Sequence, residues 1–166
     1  MTKSSAVNVR AAAADGAVST GGGLIVRAET IVIETGQRVE LTDITDRLTT
    51  IARASGVRDG IVSVWSLHTT LAVFINEAQQ ALHADIKRLL EMMVARDHDW
   101  MHNDPQHSDC DRVNADAHLR AMLLGHSLTL QVAGGAIVLG QWQRVLTAEL
   151  DGPRTRSLRV QIMGIG

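Results

Sequence analysis

Ser127-Leu128-Thr129-Leu130-Gln131-Val132-Ala133-Gly134-Gly135-Ala136-Ile137-Val138-Leu139 is the stretch whose reading decides the fold class. Leu128, Leu130 and Val132 alternate with Thr129 and Gln131, the two-residue period of a half-buried strand. Gly134-Gly135 supplies a tight turn, after which the chain returns over 136–139. Further strands are read over 145–150 and 158–165. The connections between them are too short for the helical crossovers that parallel strands need, so the sheet is antiparallel. With the helical segments upstream this predicts an α+β domain, with two or three helices on one side or end of the sheet.

Working outward, Leu24, Val26 and Ala28 alternate with Arg27 and Glu29 and lead into Ile31-Val32-Ile33, a strand ending near Thr35-Gly36. A second short strand is read over 38–41, and Thr42 or Asp43 caps a helix carrying Ile44, Leu48, Ile51 and Ala52 on one face and stopping at Gly56. Residues 60–67 and 72–75 are two strands or one long bent strand around His68-Thr69-Thr70. Leu82, Ile86, Leu89, Leu90 and Met93 form the apolar stripe of a helix over 79–94. A polar loop over 97–113 precedes a short helix over 115–124, capped by Asn114 or Asp111 and ended by Gly125. Residues 1–23 are rich in Ala, Ser and Gly and read as a flexible extension, leaving 24–166 as one domain.

The chain has 166 residues and a formal net charge of -2, which argues against dominant binding to a nucleic-acid backbone, and it lacks Tyr for stacking on single strands. The single cysteine, Cys110, allows no internal disulfide, and neither a secretory leader nor a membrane-spanning apolar run is visible. A cytoplasmic protein binding no membrane is the expectation.

Polar groups suited to chemistry gather at both ends of the apolar run 71–75: His68 and Thr69 before it, Asn76 and Glu77 after it. His68, His102 and His118, on three separate segments, form a candidate metal centre with an open coordination position, for which Zn²⁺ is the natural occupant. Glu77, Asp85 or Glu149 would act as general base or orient the imidazoles. Asp85 reads first as a solvated helix charge and second as a carboxylate able to reach a ligand above the packed face. Asn76, Thr69 and Gln143 would hold a substrate by hydrogen bonds, and Trp142 would stack a planar ring or else fill the core. Arg154 and Arg156 share a face of an extended segment and would clamp a phosphate, or pair with Asp151 or Glu149.

These motifs have a further reading in combination. His68-Thr69-Thr70 through Asn76-Glu77, Asp85, Trp100-Met101-His102-Asn103, Asn114-Ala115-Asp116-Ala117-His118-Leu119, Leu139-Gly140-Gln141-Trp142-Gln143, Glu149 and Asp151-Gly152-Pro153-Arg154-Thr155-Arg156 occur in the order that resembles the secondary thiamine-phosphate synthase, or YjbQ-like, family. The resemblance runs from Leu24 to the C-terminus, with Trp100 where the family commonly has Tyr and Gln141 where it has Thr. Neither change removes a charged or metal-binding group, so they bear on substrate shape. The resemblance implies an antiparallel β-sandwich-like sheet, a homotrimer and a weak transferase activity. That activity joins an aminopyrimidine diphosphate to a thiazole phosphate and releases pyrophosphate, with Mg²⁺ as the cation that suits a diphosphate. The alternative is a non-catalytic trimer that holds a small ligand or a metal.

Overall fold

The computed structural model describes residues 19–21 and 23–166. Most of the flexible extension read over 1–23, namely 1–18 and 22, lies outside the described residues. Within it, β1 (Ser19–Gly21) pairs with the start of β2 (Leu24–Glu34). There follow β3 (Glu40–Asp43), α1 (Thr45–Ser55), β4 (Asp59–Ser66), β5 (Leu71–Asn76), α2 (Gln80–Met93) and a 3-10 turn at Met101–Asn103. The chain continues through α3 (Ala115–Leu124), β6 (Ser127–Ala133), β7 (Ala136–Ile137), β8 (Arg144–Glu149) and β9 (Thr155–Ile165).

Every strand pairing is antiparallel, as the short connections require. One sheet runs β1-β2-β9-β4-β6-β7 and the other β3-β8-β5. The residues read as one bent strand or two are two strands, and they belong to different sheets. The main core fills the space between the sheets: Ile31, Val62, Leu130, Leu158 and Ile162 from the large one, Leu71, Val73 and Val145 from the small one, with Leu48 and Ala52 of α1 at the edge. On its other face the small sheet presents Ala72, Ala148 and Leu150 to Leu90 of α2 and Ala117 and Ala121 of α3. Covered on both faces, its strand β5 reads as a continuous apolar run from Leu71 to Ile75 where a one-sided strand would alternate.

Local chemistry accounts for the differences from expectation. The second strand starts at Glu40, two residues late, because Glu40 Oε2 accepts the backbone N–H groups of Gly36 (2.8 Å) and Gln37 (3.0 Å) and holds the preceding residues in a bend. Neither Thr42 nor Asp43 is the cap of α1: Ile44 holds that position without a side-chain bond, and Asp43, one residue earlier, accepts the N–H of Thr45 at 2.9 Å; Gly56 ends the helix in the left-handed region at φ 80. The stripe read on α2 is covered in part: Leu90 is buried, Ile86 packs against the same cluster and Leu82 is half-buried, whereas Leu89 and Met93 are exposed.

Candidate functional site

Side-chain parity along the paired strands places the first polar group. Residues 145, 147 and 149 of β8 face the large sheet, while 156, 158, 160 and 162 of β9 face the small one. Glu149 and Arg156 therefore meet between the sheets, at one end of the sandwich, in a two-pronged ion pair with side chains 1% and 3% exposed. Glu149 Oε1 also accepts the N–H groups of Leu150 (2.9 Å) and Asp151 (2.8 Å), and Arg156 donates to Thr70 Oγ1 at 2.8 Å. Read as a base and a phosphate clamp, both are instead spent on each other and on the backbone, because each is desolvated and needs a full set of partners.

The chain then turns at Gly152, where a Cβ would stand 2.3 Å from the carbonyl oxygen of Gln37, so only glycine lets the two segments touch. That contact delivers Asp151, 3% exposed, to a convergence of basic groups. Arg38 Nη1 donates to its Oδ1 (3.1 Å), and Arg112 Nε (3.2 Å), Arg154 Nη2 (2.9 Å) and Asn114 Nδ2 (2.9 Å) donate to its Oδ2. Arg38 also reaches Asp116 at 2.9 Å, and fully buried Asp116 pairs with Arg120 of its own helix. Arg38 and Arg112 were not singled out from the sequence. Solitary arginines in irregular segments carry no periodic signal.

His102 and His118 lie beside this network. The indole of Trp100 donates to Ala95 O at 2.9 Å and anchors the 3-10 turn, while Asn103 Oδ1 accepts the N–H of Ala115 at 3.0 Å and ties that turn to the start of α3. The two imidazoles consequently sit edge to face with centroids 5.0 Å apart. They border a cavity of about 310 Å³ shared with Trp100, Met101, Ala115 and Leu119. Burial, and then the neighbouring His102, lower the pKa of His118 below the ordinary imidazole value, against the opposing pull of Asp151 and Asp116.

His68 stands elsewhere, in a second cavity with Trp65, Ser66, Leu67, Thr69 and His126. Its Nε2 accepts the backbone N–H of Ser157 at 2.9 Å, and burial, followed by the Arg156 charge, lowers its pKa. With Nε2 so occupied, the neutral ring carries its proton on Nδ1 and offers no lone pair to a metal. Among the described residues no three His, Cys, Asp or Glu groups are arranged to hold a metal ion. The three-histidine zinc centre is thus not assembled within one chain: His102 and His118 are together and His68 is apart.

Lowered pKa values at His68 and His118 have a consequence for stability. The unfolded chain binds protons to both imidazoles more readily than the folded chain, so stability is complete above the ordinary value near 6.5 and is lost as pH falls below it. Urea midpoints measured between about pH 5 and about pH 8 are expected to rise with pH and level off, with a shallower slope in His118→Gln. An unchanged slope in that variant would remove His118 as a source.

The remaining candidates lie at the other end of the small sheet. Leu71 pairs with Glu149 and Asn76 with Arg144, so β5 sets Asn76 five strand steps, roughly 17 Å, from the end of the strand next to Thr69 and Thr70. Asn76, Glu77 and Gln143 are exposed; Asn76 Oδ1 is held by the N–H of Glu77 (2.9 Å), and Gln143 Oε1 by that of Gly140 (2.8 Å). Trp142 is 66% exposed, which excludes the core role for it. Asp85 is exposed on α2.

Residues 29–165 match the family model described as UPF0047 protein YjbQ-like. A UPF0047 protein of Methanothermobacter thermautotrophicus is 44% identical over 139 residues, spanning 84% of this chain and 93% of the relative. YugU of Bacillus subtilis is 30% identical over 136 residues, spanning 82% and 98%. A YbjQ-like protein of unknown function from Sulfolobus solfataricus superposes with a TM-score of 0.79 at 34% identity, covering 85% of this chain and 99% of the other. An uncharacterized YjbQ/UPF0047 protein from Clostridium acetobutylicum gives 0.73 at 30%, covering 81% and 98%.

Proposed function

The chain belongs to the YjbQ-like UPF0047 family, and from that premise we propose that it is a transferase of the thiamine-phosphate synthase type, acting on a small phosphorylated substrate at the His102–His118 cavity. One observation carries this reading: two imidazoles 5.0 Å apart at the mouth of a cavity whose other walls are largely apolar. Such a pocket accepts a flat heteroaromatic ring, and a paired imidazole within reach can donate a proton to a departing diphosphate oxygen. In the reaction the bond from the pyrimidine methylene to oxygen breaks, pyrophosphate leaves with the electron pair, and the thiazole nitrogen forms the new bond to carbon. The protein's contribution is then to position, to hold charge and to protonate the leaving group. A divalent cation enters this reading as the counter-ion of a diphosphate substrate, not as a resident of the three histidines.

We place this activity in a cytoplasmic homotrimer. Support for association comes from the exposed Leu89, Met92 and Met93 of α2 and Met122 and Leu123 of α3, apolar side chains that a second copy could cover. Among the described residues no helix is long and apolar enough to cross a membrane.

The test is pyrophosphate release by the full chain given an aminopyrimidine diphosphate and a thiazole phosphate. Loss of His118 to alanine is expected to lower the rate about 100-fold or more, the usual worth of a positioned acid or base. A parent chain that binds the substrates without turning them over would favour the non-catalytic ligand-binding trimer. Turnover at the parental rate in both His118→Ala and His102→Ala would remove the imidazole pair from the mechanism.

A further inference from the structure

We propose that Arg38, Arg112 and Arg154 form an oxyanion-binding site for the phosphate or diphosphate end of a small ligand, with Asp151 as the residue that positions all three. Their side chains are 28%, 50% and 32% exposed, yet they converge on one carboxylate that is 3% exposed. Asp116, the other buried acid in reach, is shared between Arg38 and Arg120, and Arg120 is matched in addition by Glu91, so the four guanidiniums face three carboxylates. Three guanidiniums around one directly bonded carboxylate leave a cationic surplus at the protein surface, and an anion is the partner that settles it.

Donors remain for such an anion. Arg112 engages Asp151 through Nε and Nη2, and Arg154 through Nε and Nη2, so among the described residues the Nη1 of each is uncommitted. A guanidinium gripped on one edge presents its other edge in a fixed orientation, which lowers the ordering cost of binding a phosphate.

Asn114 supplies an independent sign. It occupies the position before α3, where an asparagine ordinarily accepts a backbone N–H of the first turn, yet it makes no such bond. Instead Nδ2 goes to Asp151, and Oδ1 is the one buried side-chain oxygen among the described residues without a hydrogen-bond partner. A buried acceptor left unpaired costs stability, and a local rule broken at this cost marks a place where something else binds.

The site adjoins the cavity of the proposed reaction: Asn114 directly precedes Ala115 of the cavity wall, and Asp151 and Asp116 both act on the charge of His118. A ligand with its anionic end at the arginines would point its ring toward the imidazoles. The inference rests on that reading for the identity of the ring alone. Arg154 was expected to hold phosphate together with Arg156; here Arg38 and Arg112 take the place of Arg156, which is buried against Glu149.

Calorimetric titration of the full chain with inorganic pyrophosphate tests it. Binding is expected to weaken with added salt, to fall at least about tenfold in Arg112→Gln and in Arg154→Gln, and to persist in His118→Ala. Arg144→Gln is the control, since Arg144 pairs with Asp43 and Asp46 at the other end of β8. Thermal melts of each variant establish that it is folded. Absence of pyrophosphate binding, or losses in Arg112→Gln no greater than in Arg144→Gln, overturns the site. Arginine-dependent binding without turnover would support the site while removing the transferase reading, and turnover indifferent to Arg112 would do the reverse.

Discussion

Glu149→Ala is expected to lower stability by about 3–5 kcal/mol, the cost of leaving a buried charge without its partner. Arg156 is 3% exposed and takes its charge balance from Glu149, with Thr70 Oγ1 as a neutral contact. The N–H groups of Leu150 and Asp151 lose their shared acceptor at the same time. For a domain of this size that loss corresponds to a fall in Tm on the order of 10 °C. Glu149→Gln keeps an amide oxygen for the backbone and should be milder. A double replacement, Glu149→Leu with Arg156→Met, should recover most of the loss, because removing both charges also removes the need to desolvate them. Urea denaturation of the three variants separates these outcomes. A Glu149→Ala chain as stable as the parent but inactive would return this carboxylate to the role of general base.

Asp151→Ala comes second, at about 3 kcal/mol, toward the low end for a buried charge because its arginine partners are half-exposed and can turn to water. Here the loss should depend on the anions present. Without Asp151 the three guanidiniums repel one another, and sulfate supplied at constant ionic strength can occupy the space between them. Its binding raises Tm as any ligand specific to the folded state does. Melts of parent and variant in sulfate and in chloride check this. The variant should gain more from sulfate than the parent does, and an equal gain would show that Asp151 does not organise these side chains.

Much of the fold was legible because burial imposes a period. Alternation in 127–132 gave a one-sided strand that the structure contains as β6, and the glycines at 56 and 125 ended helices where expected. The polar site was less legible. Hydrophobic alternation shows which residues are buried but not which face a charged residue takes, so Glu149 looked available for chemistry. Its orientation follows only once both faces of the small sheet are known to be covered. The same holds for position along a strand: His68 and Glu77 are close in sequence, yet β5 lies stretched between them. Arg38 and Arg112 reach Asp151 across 113 and 39 positions, separations over which a local pattern carries no information.

The place of β9 in the large sheet bears on how the chain is born. It is the last strand in sequence, yet it lies between β2 and β4, both translated long before it. While the ribosome still covers residues 155–165, β2 lacks its partner along its whole length and β4 lacks one of its two neighbours. Arg156 is also missing, so Glu149 emerges with its charge unmatched. Completion of the sheet therefore waits until residues 155–165 have emerged, and until then the nascent chain carries open strand edges able to pair with those of its neighbours.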